Sequence, residues 1–95
     1  MLIIQVAMEG KKPLKTDNVK IIDHLGTLYA TIAGNSLWKM EYATYNVWKV
    51  CDGKRTVDEL VNDLAKEIGH KPEDVKPVVE KILSQLTDLK FLEWI

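Results

Sequence analysis

The first half of the chain alternates between short apolar runs and polar turns. Residues 1–8, MLIIQVAM, form a compact β-branched run that predicts a strand. Residues 9–18 are polar and contain a glycine and a proline, a composition that predicts a loop or short linker. Three short strands joined by glycine-containing turns are predicted next, at residues 19–24, 27–33 and 36–41. This succession predicts an antiparallel meander.

The third strand of this meander, SLWKME, alternates in character along its length. Trp38 and Met40 lie on one side of it, and Leu37, Lys39 and Glu41 lie on the other. As the last strand of the meander it is expected to leave backbone NH and C=O groups unpaired at a sheet edge. The pair on the first side either contributes to a binding surface or serves the core, so both sides remain candidates for binding.

The second half of the chain has helical spacing. Residues 43–51 predict a first helix, and residues 57–68 place apolar side chains at i, i+3, i+4, i+7, i+8 and i+11, which predicts an amphipathic helix stopped by Gly69. A third helix is predicted at 74–89, and the closing residues FLEWI are apolar and expected to be extended. A sheet followed by three helices predicts an α+β domain with one mixed core and a winged-helix-like helical half.

The last helix carries a wide apolar stripe. Asp74 is the expected N-cap, which places Pro77 in the first turn, where its missing NH does little harm. At 100° per residue, Val78 and Leu83 stand roughly 140° apart, beyond the ~100° that a core-facing helix requires. One flank of the stripe is therefore available to a partner, unless MLIIQV or FLEWI covers it.

A tight corner, CDGKRTVDEL at 51–60, separates the first two helices. Asp52-Gly53 is a turn signal, because glycine adopts the positive φ that ends a helix. Thr56 and Glu59 are spaced as a capping box, in which each side chain bonds the backbone NH of the other residue. We expect these four residues to have a structural role.

The charge balance argues against a nucleic-acid partner. Thirteen cations oppose fourteen anions for a formal net charge of −1, and Arg55 is the one arginine. Domains that read DNA usually present a basic face with arginines for bidentate contacts. A winged-helix nucleic-acid binder stays an alternative only because of the three-helix corner.

The sequence offers no set of residues typical of catalysis. His24 and His70 are far apart and in no metal-ligand spacing, and Cys51 ends an apolar helical face as a small buried hydrophobe would. We therefore expect a non-enzyme without catalytic residue, metal or cofactor. A single cysteine, a start without signal-peptide features and the absence of an apolar run of about 20 residues predict a cytoplasmic protein that does not span a membrane.

The corner and its flanks, VWKVCDGKRTVDELVNDL, resemble the coenzyme PQQ synthesis protein D (PqqD) family. The resemblance extends over about residues 17–93, which leaves 1–16 as an N-terminal strand and linker and makes 17–95 the PqqD-like domain. The glycine usual in this family near the end of the last helix falls at about Lys90. The matching corner residues are Cys51, Asp52, Gly53, Arg55, Thr56, Glu59 and Leu60.

The resemblance implies a peptide-binding chaperone of pathways for ribosomally made, post-translationally modified peptides (RiPPs), such as PQQ biosynthesis. Such a recognition element binds the leader of a precursor peptide as an added strand on the third strand and the last helix, and presents it to a radical SAM enzyme. Leu83, at the edge of the stripe, is the preferred contact on the helix. The predicted peptide-binding residues are Leu37, Trp38, Lys39, Met40, Val78, Val79, Ile82, Leu83 and Leu86.

A protein-interaction module is the remaining alternative. In it, MLIIQVAM or the free strand edge pairs with a second copy of the chain, as a homodimer or a domain swap.

Overall fold

The computed structural model describes residues 10–32 and 37–95 of the chain. The predicted strand at 1–8 and the predicted Gly34-Asn35 turn lie outside these residues. The elements in chain order are β1 (Pro13–Lys15), β2 (Val19–His24), β3 (Thr27–Ile32), β4 (Trp38–Met40), α1 (Tyr42–Lys49), α2 (Val57–Ile68), α3 (Pro72–Asp88) and β5 (Leu92–Trp94).

The meander is present as an antiparallel sheet in the order β2-β3-β4. Its first hairpin pairs Val19 with Ile32 at one end and His24 with Thr27 at the other. The two-residue turn between them places Leu25 at φ +52° and Gly26 at φ +84°, which matches the right-handed twist of the strands. The predicted α+β architecture, a three-stranded sheet followed by three helices, is confirmed.

The core lies between this sheet and the helices. Leu28 and Ala30 of β3 and Met40 of β4 point into it, as the period of two along a strand requires. All three helices contribute buried side chains, and α3 packs against α2, α1 and β5. The helical core residues are Val47, Trp48, Val57, Leu60, Val61, Ala65, Val75, Val79, Ile82, Leu83 and Leu86.

The prediction of a loop for 9–18 is wrong, because Pro13–Lys15 forms strand β1. It pairs antiparallel with β5, with Leu14 opposite Glu93. Proline is tolerated at the first residue of such a strand, and the pairing partner lies almost 80 residues further along the chain. Composition within a short window cannot reveal a strand that exists only through such distant pairing.

The helix α2 begins and ends where its sequence signals lie. The Thr56 hydroxyl accepts a hydrogen bond from the Glu59 NH (3.4 Å), and the Glu59 carboxylate accepts one from the Thr56 NH (2.9 Å). Gly69 ends the helix at φ +74°. The predicted capping box and the predicted stop are both confirmed.

The start of α3 differs from its prediction. The N-cap is Lys71 and not Asp74, and Pro72 occupies the first turn. Proline suits the first helical position because its φ is already helical and an NH there has no partner in any case. Asp74 then lies inside the first turn, where a carboxylate stabilises the helix dipole, and Pro77 falls inside the helix rather than in its first turn.

Candidate functional site

Strand β4 is an edge of its sheet among the described strands. It pairs on one side with β3, through Trp38 opposite Ala30 and Met40 opposite Leu28. No described strand pairs with its other side. The outer edge of β4 therefore has backbone groups available to a further strand, as the sequence predicts.

A groove with a volume of about 710 Å³ lies along this edge. One wall is β4 with the start of α1, and the opposite wall is α3 and the residues that follow it. Six of the predicted binding residues line it, namely Trp38, Lys39, Met40, Val78, Ile82 and Leu86. The sequence did not single out the other lining residues, Glu41, Ala43, Thr44, Lys81, Gln85, Asp88, Leu89 and Phe91.

The exposed flank of α3 is the flank that carries Val78. Its side chain is 56% exposed, whereas Leu83 is fully buried at 0% and Val79 is also buried. The expectation that Leu83 lies at an accessible edge of the stripe is therefore wrong. A helical wheel gives the width of an apolar stripe but not which flank the neighbouring helices cover.

Trp38 and Met40 differ in exposure although they lie on the same face of β4. Met40 is buried in the core, while Trp38, on the same face, remains 50% exposed and lines the groove. Leu37 is exposed but lies outside the lining of the groove. Met40 therefore belongs to the core, while a binding role for Trp38 stays a prediction.

Charged side chains rim a groove whose other lining residues are apolar apart from Thr44 and Gln85. Lys39 and Glu41 come from the strand wall, and Lys81 and Asp88 come from α3. None of these four forms an ion pair with another residue in 10–32 or 37–95. They are therefore free to interact with charged groups of a bound molecule.

The spacing of the groove-lining residues on α3 is already visible in the sequence. Val78, Lys81 and Gln85 are spaced by three and four residues, so they follow one line along the helix. Only the apolar member of this line was predicted, because the polar ones resemble an ordinary solvated face.

Hydrogen bonds of aromatic side chains hold the walls of the groove in place. Trp48 Nε1 of α1 donates to the backbone carbonyl of Phe91 (3.1 Å), a bond that is buried. Trp94 Nε1 donates to the Thr87 hydroxyl (3.0 Å), which in turn donates to the Leu83 carbonyl in α3 (2.7 Å). A buried indole NH requires a partner, so these bonds restrict how α1 and β5 can sit against α3.

The corner between α1 and α2 is held by charge and by turn geometry. Asp52 Oδ1 accepts from the Lys54 NH (3.0 Å), and this bond, together with nearby Arg55, lowers the pKa of the Asp52 carboxyl. Arg55 donates to the Val50 carbonyl (2.8 Å) and to Asp63 (2.9 Å). The bond to Asp63 raises the pKa of the guanidinium.

Arg55 therefore links the end of α1 to the side of α2. From the sequence, Arg55 stood out only as the one arginine of the chain and as a member of the corner motif. Its side chain explains why a planar donor with several NH groups suits this position, because it reaches a carbonyl and a carboxylate at once.

Cys51 does not supply a reactive thiol. Burial raises its pKa to about 12, so the thiolate is scarcely populated near neutral pH. Its Sγ lies 3.2 Å from the Val47 carbonyl. The interpretation as a small buried hydrophobe is confirmed.

Metal ligands and membrane-spanning helices are two further features of residues 10–32 and 37–95. Within those residues, no group of three or more His, Cys, Asp or Glu side chains is arranged to hold a metal ion. No helix there is both long and apolar enough to cross a membrane.

Comparisons with known proteins identify related sequences and folds. The family model described as coenzyme PQQ synthesis protein D (PqqD) matches residues 20–92. None of the curated proteins matches the chain.

One solved structure is similar in fold. It is the solution NMR structure of the PqqD truncation of Methylobacterium extorquens PqqCD, described as a functional and stand-alone RiPP recognition element. The TM-score is 0.67 at 18% sequence identity, with 85% of this chain and 87% of that chain covered.

Proposed function

Because this chain belongs to the PqqD family, we propose that it recognises the leader of a ribosomally made precursor peptide and presents it to a radical SAM maturation enzyme. The similar fold of a RiPP recognition element supports a role in peptide recognition. The observation that carries the proposal is the free edge of β4, which faces the α3 wall across a groove.

The leader binds by strand addition. The outer edge of β4 supplies backbone donors and acceptors, which bind any extended peptide irrespective of its side chains. Specificity then comes from the side chains that point into the groove. Trp38 and Val78, on opposite walls and each about half exposed, provide apolar surface that a leader side chain covers.

The structural corner contributes to this function indirectly. Asp52, Gly53, Thr56 and Glu59 lie at the junction of α1 and α2 and do not line the groove. They fix the angle at which the two helices meet, and both helices pack against α3. The corner thereby sets the shape of the groove without touching the peptide.

The decisive variant is Val78→Glu, tested with a synthetic leader-like peptide that the wild-type protein selects from a randomised display library. A carboxylate at an exposed position leaves the thermal melt nearly unchanged. It also confronts the apolar side chains of the leader with a charge, so affinity falls about ten-fold or more. Titration followed by tryptophan fluorescence, and by the backbone amide NMR signals of Trp38–Met40, measures the loss.

Ile68→Glu is the matched control, because Ile68 is equally exposed but lies at the end of α2 and does not line the groove. It should change neither the melt nor the affinity. Leu83→Glu cannot replace the test, since a carboxylate at this buried position unfolds the domain. Unchanged leader affinity in Val78→Glu would refute the proposed site.

Light scattering on the same samples tests the homodimer alternative. A peptide-binding monomer keeps its mass at all concentrations and binds one leader. If instead a second copy occupies the β4 edge, the mass doubles and added leader lowers it.

A further inference from the structure

The outward face of the sheet carries cations and no carboxylate among its described strand residues. Cross-strand partners share a face, and Leu28, Ala30 and Met40 mark the face that packs on the core. The strand positions between them lie on the opposite face, and the charged or titratable ones are Lys20, His24, Tyr29 and Lys39. Asp23 is opposite Leu28, on the other face, and accepts from the Gly26 NH in the turn.

Lys39 is the last residue of a line of cross-strand neighbours, or row, that ends at the outer edge of β4. The row consists of Ile22, Tyr29 and Lys39, so the neighbours of the ammonium along the row are uncharged. Its side chain is exposed and forms no ion pair within the part of the chain that the structure describes. A strand added to β4 places one of its residues next in this row, beside Lys39.

The neighbours of that residue point the other way. Because side chains alternate along a strand, the residues before and after it turn toward the groove. There they meet the groove, where the half-exposed side chains of Val78 on α3 and Trp38 on β4 present apolar surface. One outward position beside a lysine is thus flanked by two inward positions beside apolar side chains.

We propose that the groove selects leaders whose bound strand carries an aspartate or glutamate between two large apolar residues, with the acid beside Lys39. The pattern reads the same in both directions, so it holds for a parallel and for an antiparallel leader. This inference rests on strand addition to β4, as given in the proposed function.

Selection from a randomised peptide display library tests the pattern without knowledge of the natural leader. The wild-type protein should enrich apolar-acidic-apolar triplets. Lys39→Glu should enrich apolar-basic-apolar triplets instead, and Lys39→Gln should lose the central preference while retaining the apolar flanks. Lys20→Glu is the matched control: it changes the same face of the sheet at β2, two strands away from the β4 edge, and should select as the wild type does.

Synthetic peptides then give the size of the effect. A glutamate at the centre of an enriched sequence should bind the wild type about two- to five-fold more tightly than glutamine at low salt, the range for an opposite-charge pair across strands. Salt at about 0.5 M should remove most of this difference, because it screens exposed charges.

The other outcomes separate this inference from the proposed function. In one outcome, the enriched peptides have alternating apolar residues, but Lys39→Glu does not change the preferred central residue from acidic to basic. This result would be compatible with strand addition and would overturn the role of Lys39. Inversion by Lys20→Glu instead would move the peptide to the β2 edge and overturn both. If no enriched peptide binds the wild-type protein more tightly than the Val78→Glu variant, both this inference and the proposed function are overturned.

Discussion

The left-handed backbone at Lys90 predicts that replacing this residue with glycine stabilises the protein. Helix α3 ends in a Schellman motif, in which the Phe91 NH bonds the Leu86 carbonyl (2.9 Å) and the Lys90 NH bonds the Thr87 carbonyl (3.0 Å). This motif requires a positive φ at Lys90, and the value is +64°. Glycine is the usual residue at such a position, and the resemblance to the PqqD family places one here.

The magnitude follows from two opposing contributions. An L-residue in the left-handed region costs about 1–2 kcal/mol, which Lys90→Gly removes. Glycine has more freedom in the unfolded chain, which offsets about 0.5–1 kcal/mol. Lys90 is exposed and its side chain forms no ion pair with another described residue, so the net gain is about 0.5–1 kcal/mol. For a domain of this size the Tm rises by roughly 2–8 °C.

Thermal and urea unfolding of Lys90→Gly and the parent measure this gain. Lys66→Gly is the control, because Lys66 is equally exposed but has helical backbone within α2. There glycine should destabilise by about 1 kcal/mol. Leader affinity should stay the same in Lys90→Gly. If both glycine variants lower the Tm, the left-handed strain at Lys90 is refuted.

Two further predictions concern the corner. Gly53→Ala should destabilise by about 1–2 kcal/mol in urea unfolding, because φ is +73° and an added Cβ would lie 2.9 Å from Ile95 Cδ1; a neutral result would contradict this. Thr56→Ala should destabilise by about 1 kcal/mol at neutral pH through loss of the cap. Hydrogen bonds from the Thr56 NH and hydroxyl lower the pKa of Glu59 in the folded protein. The ionised Glu59 carboxylate therefore stabilises the fold fully above its unfolded pKa. This stabilisation is lost as the pH falls through the lower pKa of the folded protein. Thermal melts from pH 6 to pH 3 should therefore fall less steeply in Thr56→Ala than in the parent, and parallel profiles would contradict the assigned coupling.

Features governed by neighbouring residues were predictable from the sequence. Helix α2 has the predicted bounds, because Thr56, Glu59 and Gly69 determine its ends through bonds and dihedral angles a few residues apart. The Leu25-Gly26 hairpin follows from a turn dipeptide between alternating strands. Such signals do not depend on where the rest of the chain goes.

Features governed by tertiary contacts were not predictable in the same way. Strand β1 depends on β5 at the other end of the chain. The burial of Leu83 and the exposure of Val78 depend on which side of α3 the other elements cover, a choice that the helical pattern leaves open. The two elements of the candidate site were therefore identified from the sequence, and Val78 was among the predicted residues, but Leu83 was wrongly preferred over it as the accessible contact.

Strand β1 connects the corner to the wall of the groove through hydrogen bonds. The Gly53 NH donates to the Pro13 carbonyl (2.9 Å), and the Lys15 NH donates to the Cys51 carbonyl (3.0 Å), so the corner binds β1 directly. The next residue after β1 donates its backbone NH to the Phe91 carbonyl (3.0 Å), the same carbonyl that accepts from the Trp48 indole. Phe91 lines the groove at the end of α3. The corner is thus linked to the wall of the groove through β1 and one shared carbonyl, although its own residues do not line the groove.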